Sequence, residues 1–297
     1  MPRITGTLEP QTVPQESGAE RFAAFIPAPL PPLEPAILLD DRLRDQLQRA
    51  QQGLERLDAA IDWVSSSAGL GTGLLHAFVR KEALTSCQLA GAQATLVDVL
   101  ADEAGTHVAG SAEAEAGGDA AGVADVHDYL AALAFCRKEG KRREGPFPSL
   151  RLLHETHGRC LRRVRGPASQ PGRLRTTQTW IGGTRPADAL YVPPPPFEVA
   201  RLMGDLLTYL HRGDQLPPLI RLGLVHVQFQ SIHPYLDGNG RMSRLLVTLL
   251  LDRWGLLRAP ILYLSLFVKR RRADYLRLLG AVRGEGDWEV RPRRSPS

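Results

Sequence analysis

Apolar residues along this chain recur mostly at the spacing of a helix rather than at the alternation of a strand. From residue 40 to residue 65, leucine, isoleucine and valine return every three or four positions, separated by charged residues and glutamine. That repeat predicts an amphipathic helix. Similar repeats predict further helices over residues 73–100, 126–135, 150–163, 197–212, 217–231 and 239–253.

Three segments lack this helical repeat. The first 35 residues are proline-rich and aperiodic, which predicts an extended arm laid over a helical body. Residues 101–124 are rich in alanine, glycine and glutamate, and we interpret them as a flexible insertion. Residues 166–196 mix glycine and proline turns with a threonine-rich stretch, which predicts either a small hairpin or an ordered loop. Because long strands do not alternate with helices, the predicted fold class is all-α.

Length and cysteine content place the chain in a broad class. At 297 residues it can bury a sizeable core. No stretch approaches the roughly 18 apolar residues of a membrane span, and the first ten residues lack the pattern of a signal peptide. The three cysteines (Cys87, Cys136 and Cys160) are too scattered for a disulfide framework or a metal site. We therefore expect a cytoplasmic protein with no membrane partner.

The positive charge of the chain changes this picture little. The net charge is +5, but only four of the 37 basic residues are lysines, which is typical of a GC-rich coding bias. Two basic runs stand out, at residues 269–272 and 291–294. We interpret both as solvated surface, with a basic patch as the alternative. Nucleic acid is therefore not the expected partner.

Most of the candidate chemistry lies in thirteen residues, His-Pro-Tyr-Leu-Asp-Gly-Asn-Gly-Arg-Met-Ser-Arg-Leu, at positions 233–245. His233 follows a largely apolar segment, and Pro234 turns the chain after it. The run Gly238-Asn239-Gly240 then provides flexible backbone at the start of a predicted helix. Backbone N–H groups at a helix start favour a bound anion.

Three charged side chains accompany that glycine-rich loop. Asp237 is a hard oxygen ligand suited to a Mg²⁺ ion that substrate phosphates share. Arg241 and Arg244 lie three positions apart, so their forked guanidinium groups fall close together and suit phosphate oxygens. Each feature alone is weak, but their joint occurrence predicts a site for a nucleoside triphosphate. The predicted buried stripe of the same helix consists of Met242, Leu245, Leu246, Leu249 and Leu250.

The thirteen-residue segment resembles the signature of Fic proteins, His-x-Phe-x-Asp/Glu-Gly-Asn-Gly-Arg-x-x-Arg, with Tyr235 in place of the usual phenylalanine. The resemblance extends over most of the chain. It includes Pro-Ala-Pro-Leu-Pro-Pro at 27–32, Lys-Glu-Ala at 81–83, Gln-Thr-Trp-Ile-Gly-Gly at 178–183, Tyr-Val-Pro-Pro-Pro-Pro at 191–196, His-Val-Gln-Phe at 226–229 and Gly-Asp-Trp-Glu at 286–289.

This resemblance implies a fold and an activity. The fold would be a Fic helical core with an N-terminal helical extension and a small β-hairpin flap. The activity would be transfer of AMP from ATP to a Tyr, Thr or Ser hydroxyl of a target protein, with Mg²⁺ as the cofactor and ATP as co-substrate. A homodimer is compatible with such a protein. The implied segments are an extended N-terminal arm (1–39), a helical region with a regulatory helix and the flexible insertion (40–125), the Fic core (126–290) and a disordered tail (291–297).

The resemblance also implies a role for each residue of the site. His233 would take the proton from the attacking hydroxyl, and an unperturbed histidine pKa of about 6.5 suits that role. Asp237 would hold Mg²⁺. Tyr275 would lie near the adenine, and ordinary helix packing is an equally good explanation of this residue. The remaining roles are an anion hole (Gly238, Asn239, Gly240), grips on the β- and γ-phosphates (Arg241, Arg244) and a target-aligning flap at 175–183 (including Thr177, Gln178, Thr179, Trp180, Ile181).

The regulatory helix departs from the family. Many relatives carry Ser/Thr-x-x-x-Glu-Gly/Asn, whose glutamate pairs with the second signature arginine. Ser86 and Gly91 match this motif, but Ala90 replaces the glutamate. Glu82 lies eight residues before Ala90, about 12 Å along a helix, and is too distant to replace the missing glutamate. We therefore expect Arg244 to lack an intramolecular competitor, unless this helix serves only in packing.

Two kinds of function remain open. The first is an AMP transferase, or an enzyme that transfers another nucleotide moiety. The second is a non-catalytic nucleotide-binding module. In that case the altered helix, and a polar end at residues 290–297 where relatives continue with more helices, mark a decayed enzyme. The intact signature favours the first. Removal of AMP from a modified protein is less expected, because in relatives it uses the glutamate that is absent at position 90.

Overall fold

The computed structural model describes residues 3–15, 18–32, 35–66, 71–105, 119–142, 145–163 and 170–289. These residues form ten α-helices and one two-stranded antiparallel sheet, so the all-α prediction is confirmed. The strands are β1 (Gly6–Gln15) and β2 (Gly18–Pro27). The helices are α1 (Asp41–Ser66), α2 (Gly71–Gln88), α3 (Leu96–Glu103), α4 (Ala120–Gly140), α5 (Leu150–Cys160), α6 (Pro196–Arg212), α7 (Pro218–Ile232), α8 (Asn239–Arg253), α9 (Leu264–Arg270) and α10 (Arg272–Glu285).

The single helix predicted over residues 73–100 is wrong, because two helices occupy this stretch. Helix α2 ends before Gly91, whose φ of 109° is a conformation that glycine adopts without strain. Helix α3 then starts from a capping box. The Thr95 hydroxyl accepts the Asp98 N–H at 3.3 Å, while the Asp98 carboxylate accepts the Thr95 N–H at 2.8 Å. The apolar repeat therefore continues across a real break in the helix.

The N-terminal arm contains strands that its aperiodic sequence did not predict. Strands β1 and β2 pair in register from Gly6 opposite Pro27 to Gln15 opposite Gly18. Three consecutive residues of β2, Ala24, Phe25 and Ile26, are all buried, so the strand lacks the alternation that identifies strands in a sequence. Among the described residues, the sheet thus lies in the N-terminal arm rather than in the predicted flap.

Other predictions differ from the structure at their edges. The predicted insertion at 101–124 overlaps α3 and α4 at its two ends, and its residues 106–118 lie outside the described residues. The predicted disordered tail at 291–297 also lies outside them. Helices α9 and α10 have no counterpart among the predicted helices.

Contacts divide the chain into two compact units. Unit 1 comprises Met1–Ala50, Leu174–Leu236 and Arg271–Ser297, and unit 2 comprises Gln51–Arg173 and Asp237–Arg270. In unit 1, helix α7 packs against α6 and against β2. Its core includes Leu202, Met203, Leu206, Phe229, Ile232 and Tyr235. In unit 2, helix α4 packs against α2, α5 and α8. Its core includes Val126, Tyr129, Leu153, Leu161 and the predicted stripe of α8.

A buried ion pair joins the two ends of unit 1. The Arg3 guanidinium lies 2.7 Å from the Glu289 carboxylate, and both side chains are almost fully buried. Glu289 also accepts the backbone N–H of Leu38 at 3.0 Å. The Gly-Asp-Trp-Glu segment, which carries part of the family resemblance, therefore supports the fold through its glutamate. Among the described residues, no helix is long and apolar enough to cross a membrane.

Candidate functional site

The signature belongs partly to unit 1 and partly to unit 2. His233, Tyr275 and the flap residues 177–181 belong to unit 1. Asp237 and the loop and arginines that follow it belong to unit 2, together with Ser86 on α2 and with Ala90 and Gly91 in the turn after it.

His233 sits at the end of α7 in the left-handed conformation, with φ 50° and ψ 61°. Its backbone N–H donates to the Phe229 carbonyl at 3.0 Å, which closes the last turn of the helix. Few residues other than glycine adopt this conformation, at a cost of about 1–2 kcal/mol. Surrounding contacts must therefore hold the backbone of His233 in place.

Arg175 supplies those contacts. Arg175 is 2% exposed, and its guanidinium donates to the carbonyl of His233 at 2.8 Å and to that of Thr177 at 3.3 Å. It also donates to the Pro194 carbonyl, and the Arg175 backbone N–H donates to the Pro234 carbonyl at 2.9 Å. A cation at the C-terminal end of a helix is favoured by the helix dipole. Arg175 also donates to the Ile232 carbonyl at 3.4 Å and therefore fixes the chain on both sides of the signature histidine.

The side chain of His233 differs from the sequence expectation in its pKa. Burial, and then the positive charges of Arg175 and Arg283, lower the pKa of His233 from 6.5 to about 3. Its Nδ1 is buried and has no hydrogen-bond partner among the described residues. The assumption of an unperturbed pKa is thus wrong. The imidazole is neutral around pH 7 and can accept a proton.

Arg283, on α10, was not identified from the sequence. Its guanidinium donates to the Ser231 hydroxyl at 3.1 Å and to the Gln230 carbonyl at 3.0 Å. It also lies 3.6 Å from the centroid of the Tyr191 ring. No motif around Arg283 pointed to these contacts, because they depend on where α10 packs in unit 1.

Tyr275 lies against α7. Its hydroxyl is 2.9 Å from Nε2 of His226 and accepts from the Gln230 amide at 3.2 Å. These contacts account for Tyr275 as a packing residue within unit 1. A role near adenine remains a prediction.

The predicted flap is an ordered loop rather than a hairpin. One isolated antiparallel bridge joins Ile181 to Tyr191, with N–H to carbonyl distances of 2.8 and 3.1 Å. The Gln178 amide donates to the carbonyls of Thr179 and Pro193 at 3.0 and 2.9 Å. Trp180 is exposed. The loop is therefore fixed by its own contacts, while alignment of a target segment along it remains a prediction.

In unit 2, the glycine-rich loop requires glycine at its first position. Gly238 has φ 75°, and a Cβ there would lie 2.9 Å from the Leu161 side chain and 3.4 Å from Nε2 of His157. Its N–H donates to the Asp237 carboxylate at 2.5 Å. Helix α8 starts at the next residue, so the positive end of its dipole lies at this loop. Such a helix start favours an anion.

Arg241 is buried between two carboxylates. Its guanidinium lies 3.2 Å from Asp125 on α4 and 3.3 Å from Asp237. Burial raises the pKa of Asp125, while the charge of Arg241 opposes that rise. Asp125 was missed by the sequence analysis, because it adjoins the supposed insertion and belongs to no motif. Its carboxylate offsets part of the free-energy cost of burying the Arg241 charge.

Arg244 is also buried, and Ser86 on α2 accepts two of its hydrogen bonds. Its Nε donates to the Ser86 hydroxyl at 2.9 Å and its Nη2 donates to the Ser86 carbonyl at 3.0 Å. Ser86 is the first residue of the segment that matches the family's regulatory motif, and the expectation that Arg244 lacks an intramolecular competitor stays a prediction. Ala90 is exposed in the turn after α2. A hydroxyl and a carbonyl of Ser86 thus bind Arg244.

Glu82 lies one turn before Ser86 on α2 and binds another helix. Its carboxylate accepts the backbone N–H of Ser265 at 3.0 Å and also accepts the Ser265 hydroxyl. Burial raises the pKa of Glu82 to about 7, and the charge of Arg244 is among the influences that oppose this rise. Glu82 is therefore engaged at α9.

Asp237 suits a magnesium ion that a nucleotide shares. Its side chain is 56% exposed although it contacts the buried Arg241. Mg²⁺ keeps several waters and commonly binds one or two carboxylates together with substrate phosphates. Among the described residues, no group of three or more histidine, cysteine or acidic side chains could hold a metal ion alone. The donor set therefore fits Mg²⁺ carried by phosphates rather than a metal caged by protein.

Two family models match this chain. Residues 147–251 match the Fic/DOC family, and residues 44–137 match the N-terminal region of the Fic/DOC family. Together they cover more than half of the chain, which includes the signature and helix α2. The chain belongs to the Fic/DOC family.

Curated relatives are similar over about half of the chain. A protein adenylyltransferase Fic of Drosophila grimshawi is 34% identical over 146 residues, which are 48% of this chain and 26% of the relative. The protein of the same description from Drosophila willistoni is 35% identical over the same length. The matched segment thus spans about a quarter of the length of these relatives.

Solved structures show the same fold. A Fic family protein from Desulfovibrio desulfuricans G20 superimposes with a TM-score of 0.57 at 24% identity, over 79% of this chain and 68% of that one. A Fic domain containing signaling protein from Bacteroides thetaiotaomicron VPI-5482 gives 0.58 at 18% identity, over 80% and 86% of the two chains. These likenesses confirm the predicted Fic helical fold.

Proposed function

We propose that this protein transfers AMP from ATP to a Tyr, Thr or Ser hydroxyl of a target protein. The observation that carries the proposal is the loop at 237–240, which joins an exposed carboxylate to the start of a helix with two buried arginines. Cations and oriented N–H groups are what a triphosphate requires. The names of the Drosophila relatives support the same reaction.

The reaction divides among residues of the signature. The oxygen of the target hydroxyl attacks the α-phosphorus of ATP, a new O–P bond forms, and the bond to the bridging oxygen breaks to release pyrophosphate. His233 takes the hydroxyl proton. Arg241 and Arg244 bind the β- and γ-phosphates, and the N–H groups at 238–240 bind phosphate oxygens. Asp237 would hold Mg²⁺, which neutralises phosphate charge when bound.

Labelled nucleotides test this proposal directly. The protein is incubated with Mg²⁺, a cell lysate and ATP labelled in the α-phosphate, and labelled proteins are identified by mass spectrometry. AMP on target hydroxyls is the expected result. Label from γ-labelled ATP would instead indicate phosphate transfer, and label only from another α-labelled nucleotide would indicate a different moiety. Nucleotide binding without incorporation of any label would favour the non-catalytic module.

Asp237→Asn should weaken the binding of Mg²⁺–ATP about tenfold and leave metal-free ATP binding nearly unchanged. Asparagine keeps an oxygen for the Gly238 N–H but removes the charge that attracts the metal. Titration calorimetry with and without Mg²⁺ measures both affinities. Asp125→Asn is the matched control, because Asp125 also contacts Arg241 and has no proposed role toward the metal. An unchanged Mg²⁺ dependence in the Asp237 variant would rule out its role.

The pH profile of kcat/KM should show no acid limb from His233 near pH 6.5. Its pKa in the folded protein is lowered to about 3, so the base stays unprotonated above that pH and is lost only as the pH falls toward it. Rates of AMP incorporation between about pH 5 and about pH 8 measure this, with ATP binding followed at each pH. A loss of kcat/KM with a pKa near 6.5, without a loss of ATP binding, would contradict it.

A further inference from the structure

A second histidine of the molecule has no role in the chemistry proposed above. His157 lies on α5 with a relative exposure of 0%, and both nitrogens of its ring make hydrogen bonds. Nδ1 accepts the backbone N–H of Gly172 at 2.7 Å. Nε2 lies 3.0 Å from the backbone carbonyl of Asp237. One buried ring therefore joins two loops that are 65 residues apart in the chain.

These two contacts determine the tautomer of His157. A backbone N–H can only donate, so Nδ1 must be unprotonated. The ring proton is then on Nε2, which donates to the Asp237 carbonyl. A ring that accepts at Nδ1 and donates at Nε2 is neutral.

The ring also packs directly against the glycine-rich loop. An added Cβ on Gly238 would lie 3.4 Å from Nε2 of His157. On the other side, Gly172 has φ 78° and lies close to α5, where an added Cβ would be 3.0 Å from the His154 carbonyl and 3.7 Å from the Gly158 Cα. Close packing of both loops leaves the imidazole little freedom, as expected for a group that sets a backbone position.

We propose that His157 is a positioning residue for the nucleotide loop: its Nε2–H holds the Asp237 carbonyl, and with it the Asp237 carboxylate and the Gly238 N–H, in the geometry that binds Mg²⁺–ATP. The Gly172 N–H holds the ring in the required tautomer. Gly172 comes three residues before Arg175, so the same ring also fixes the chain just before the flap segment. The proposal rests on the proposed function for its ligand.

Two substitutions separate the two hydrogen bonds. The amide nitrogen of glutamine reaches about as far as Nε2, and the amide oxygen of asparagine reaches about as far as Nδ1. His157→Gln should therefore keep the donor to Asp237, and His157→Asn should keep the acceptor for Gly172 but lose that donor. We expect Mg²⁺–ATP binding within about threefold of the parent for His157→Gln and at least about tenfold weaker for His157→Asn.

Titration calorimetry with Mg²⁺–ATP and urea unfolding are carried out on the parent and on both His157 variants. A loss of binding affinity can then be compared with a loss of stability. Weaker binding of the asparagine variant at a similar unfolding midpoint supports the proposal. Equal binding in all three proteins, or binding that falls only in proportion to stability, overturns it. These binding measurements stand even if no AMP transfer is detected in the parent, so failure of the proposed function is recognised separately.

A spectroscopic measurement on the parent protein covers the case in which the variants do not fold. The ¹⁵N shifts of His157 should report a neutral ring protonated at Nε2, and Mg²⁺–ATP should shift the Nε2 signal. A ring protonated at Nδ1, or an Nε2 signal unaffected by saturating Mg²⁺–ATP, overturns the proposal.

Discussion

His233→Ala is expected to lower the rate of AMP transfer by about 10²–10⁴-fold, the usual contribution of a general base, while Mg²⁺–ATP binding changes less than about twofold. The reason is that the imidazole is neutral and its buried Nδ1 has no hydrogen-bond partner in the described part of the chain, whereas the candidate phosphate-binding groups belong to other residues. Initial rates with labelled ATP and titration calorimetry provide the two measurements.

The backbone at position 233 requires a second variant. Because φ is 50° there, alanine adds backbone strain as well as removing the base. Asparagine tolerates the left-handed conformation, so His233→Asn removes the base with less strain. Arg175 binds the carbonyl of residue 233 and can do so in either variant. Equal loss of ATP binding and transfer in both variants would show that His233 is structural.

Ala90→Glu is expected to suppress AMP incorporation by roughly 100-fold, and Ala90→Gln should suppress it much less. In this chain a neutral hydroxyl and carbonyl of Ser86 bind Arg244, and a phosphate can displace them more readily than it can displace a carboxylate. A charge-assisted hydrogen bond contributes about 1.5–3 kcal/mol, which corresponds to roughly 10- to 150-fold. The measurement is the initial rate of the three proteins at one saturating ATP concentration.

Ala90 is exposed, so the rates of its variants can be compared at nearly equal stability. Because the position lies in an exposed turn, neither substitution should change the free energy of unfolding by more than about 0.5 kcal/mol. A slower Ala90→Glu protein of unchanged stability would identify regulation through Arg244. If Ala90→Glu is as fast as the parent, the alignment of residues 86–91 with the regulatory motif is wrong and the segment serves only in packing.

The long amphipathic helices were predictable because their burial follows a period that the sequence displays. Helix α8 has the predicted bounds, and its predicted stripe, such as Met242 and Leu245, is buried. Helix α1 follows the same rule. The short elements were not predictable in this way. The break between α2 and α3 depends on Gly91 and the Thr95 cap, which an apolar repeat does not register. The N-terminal hairpin depends on pairing rather than on alternation.

By itself, the sequence determined the helical class, the family and the set of residues that carry the candidate chemistry, because a run of neighbouring residues keeps its identity whatever the rest of the chain does. Only the tertiary structure decided what surrounds those residues. Distant segments supply Asp125 to Arg241 and Ser86 to Arg244, and they supply Gly172 and the Asp237 carbonyl to His157. The pKa of His233 also depends on distant arginines and on burial. Desolvation, charge and hydrogen-bond partners act through space, and spacing along the chain does not encode them.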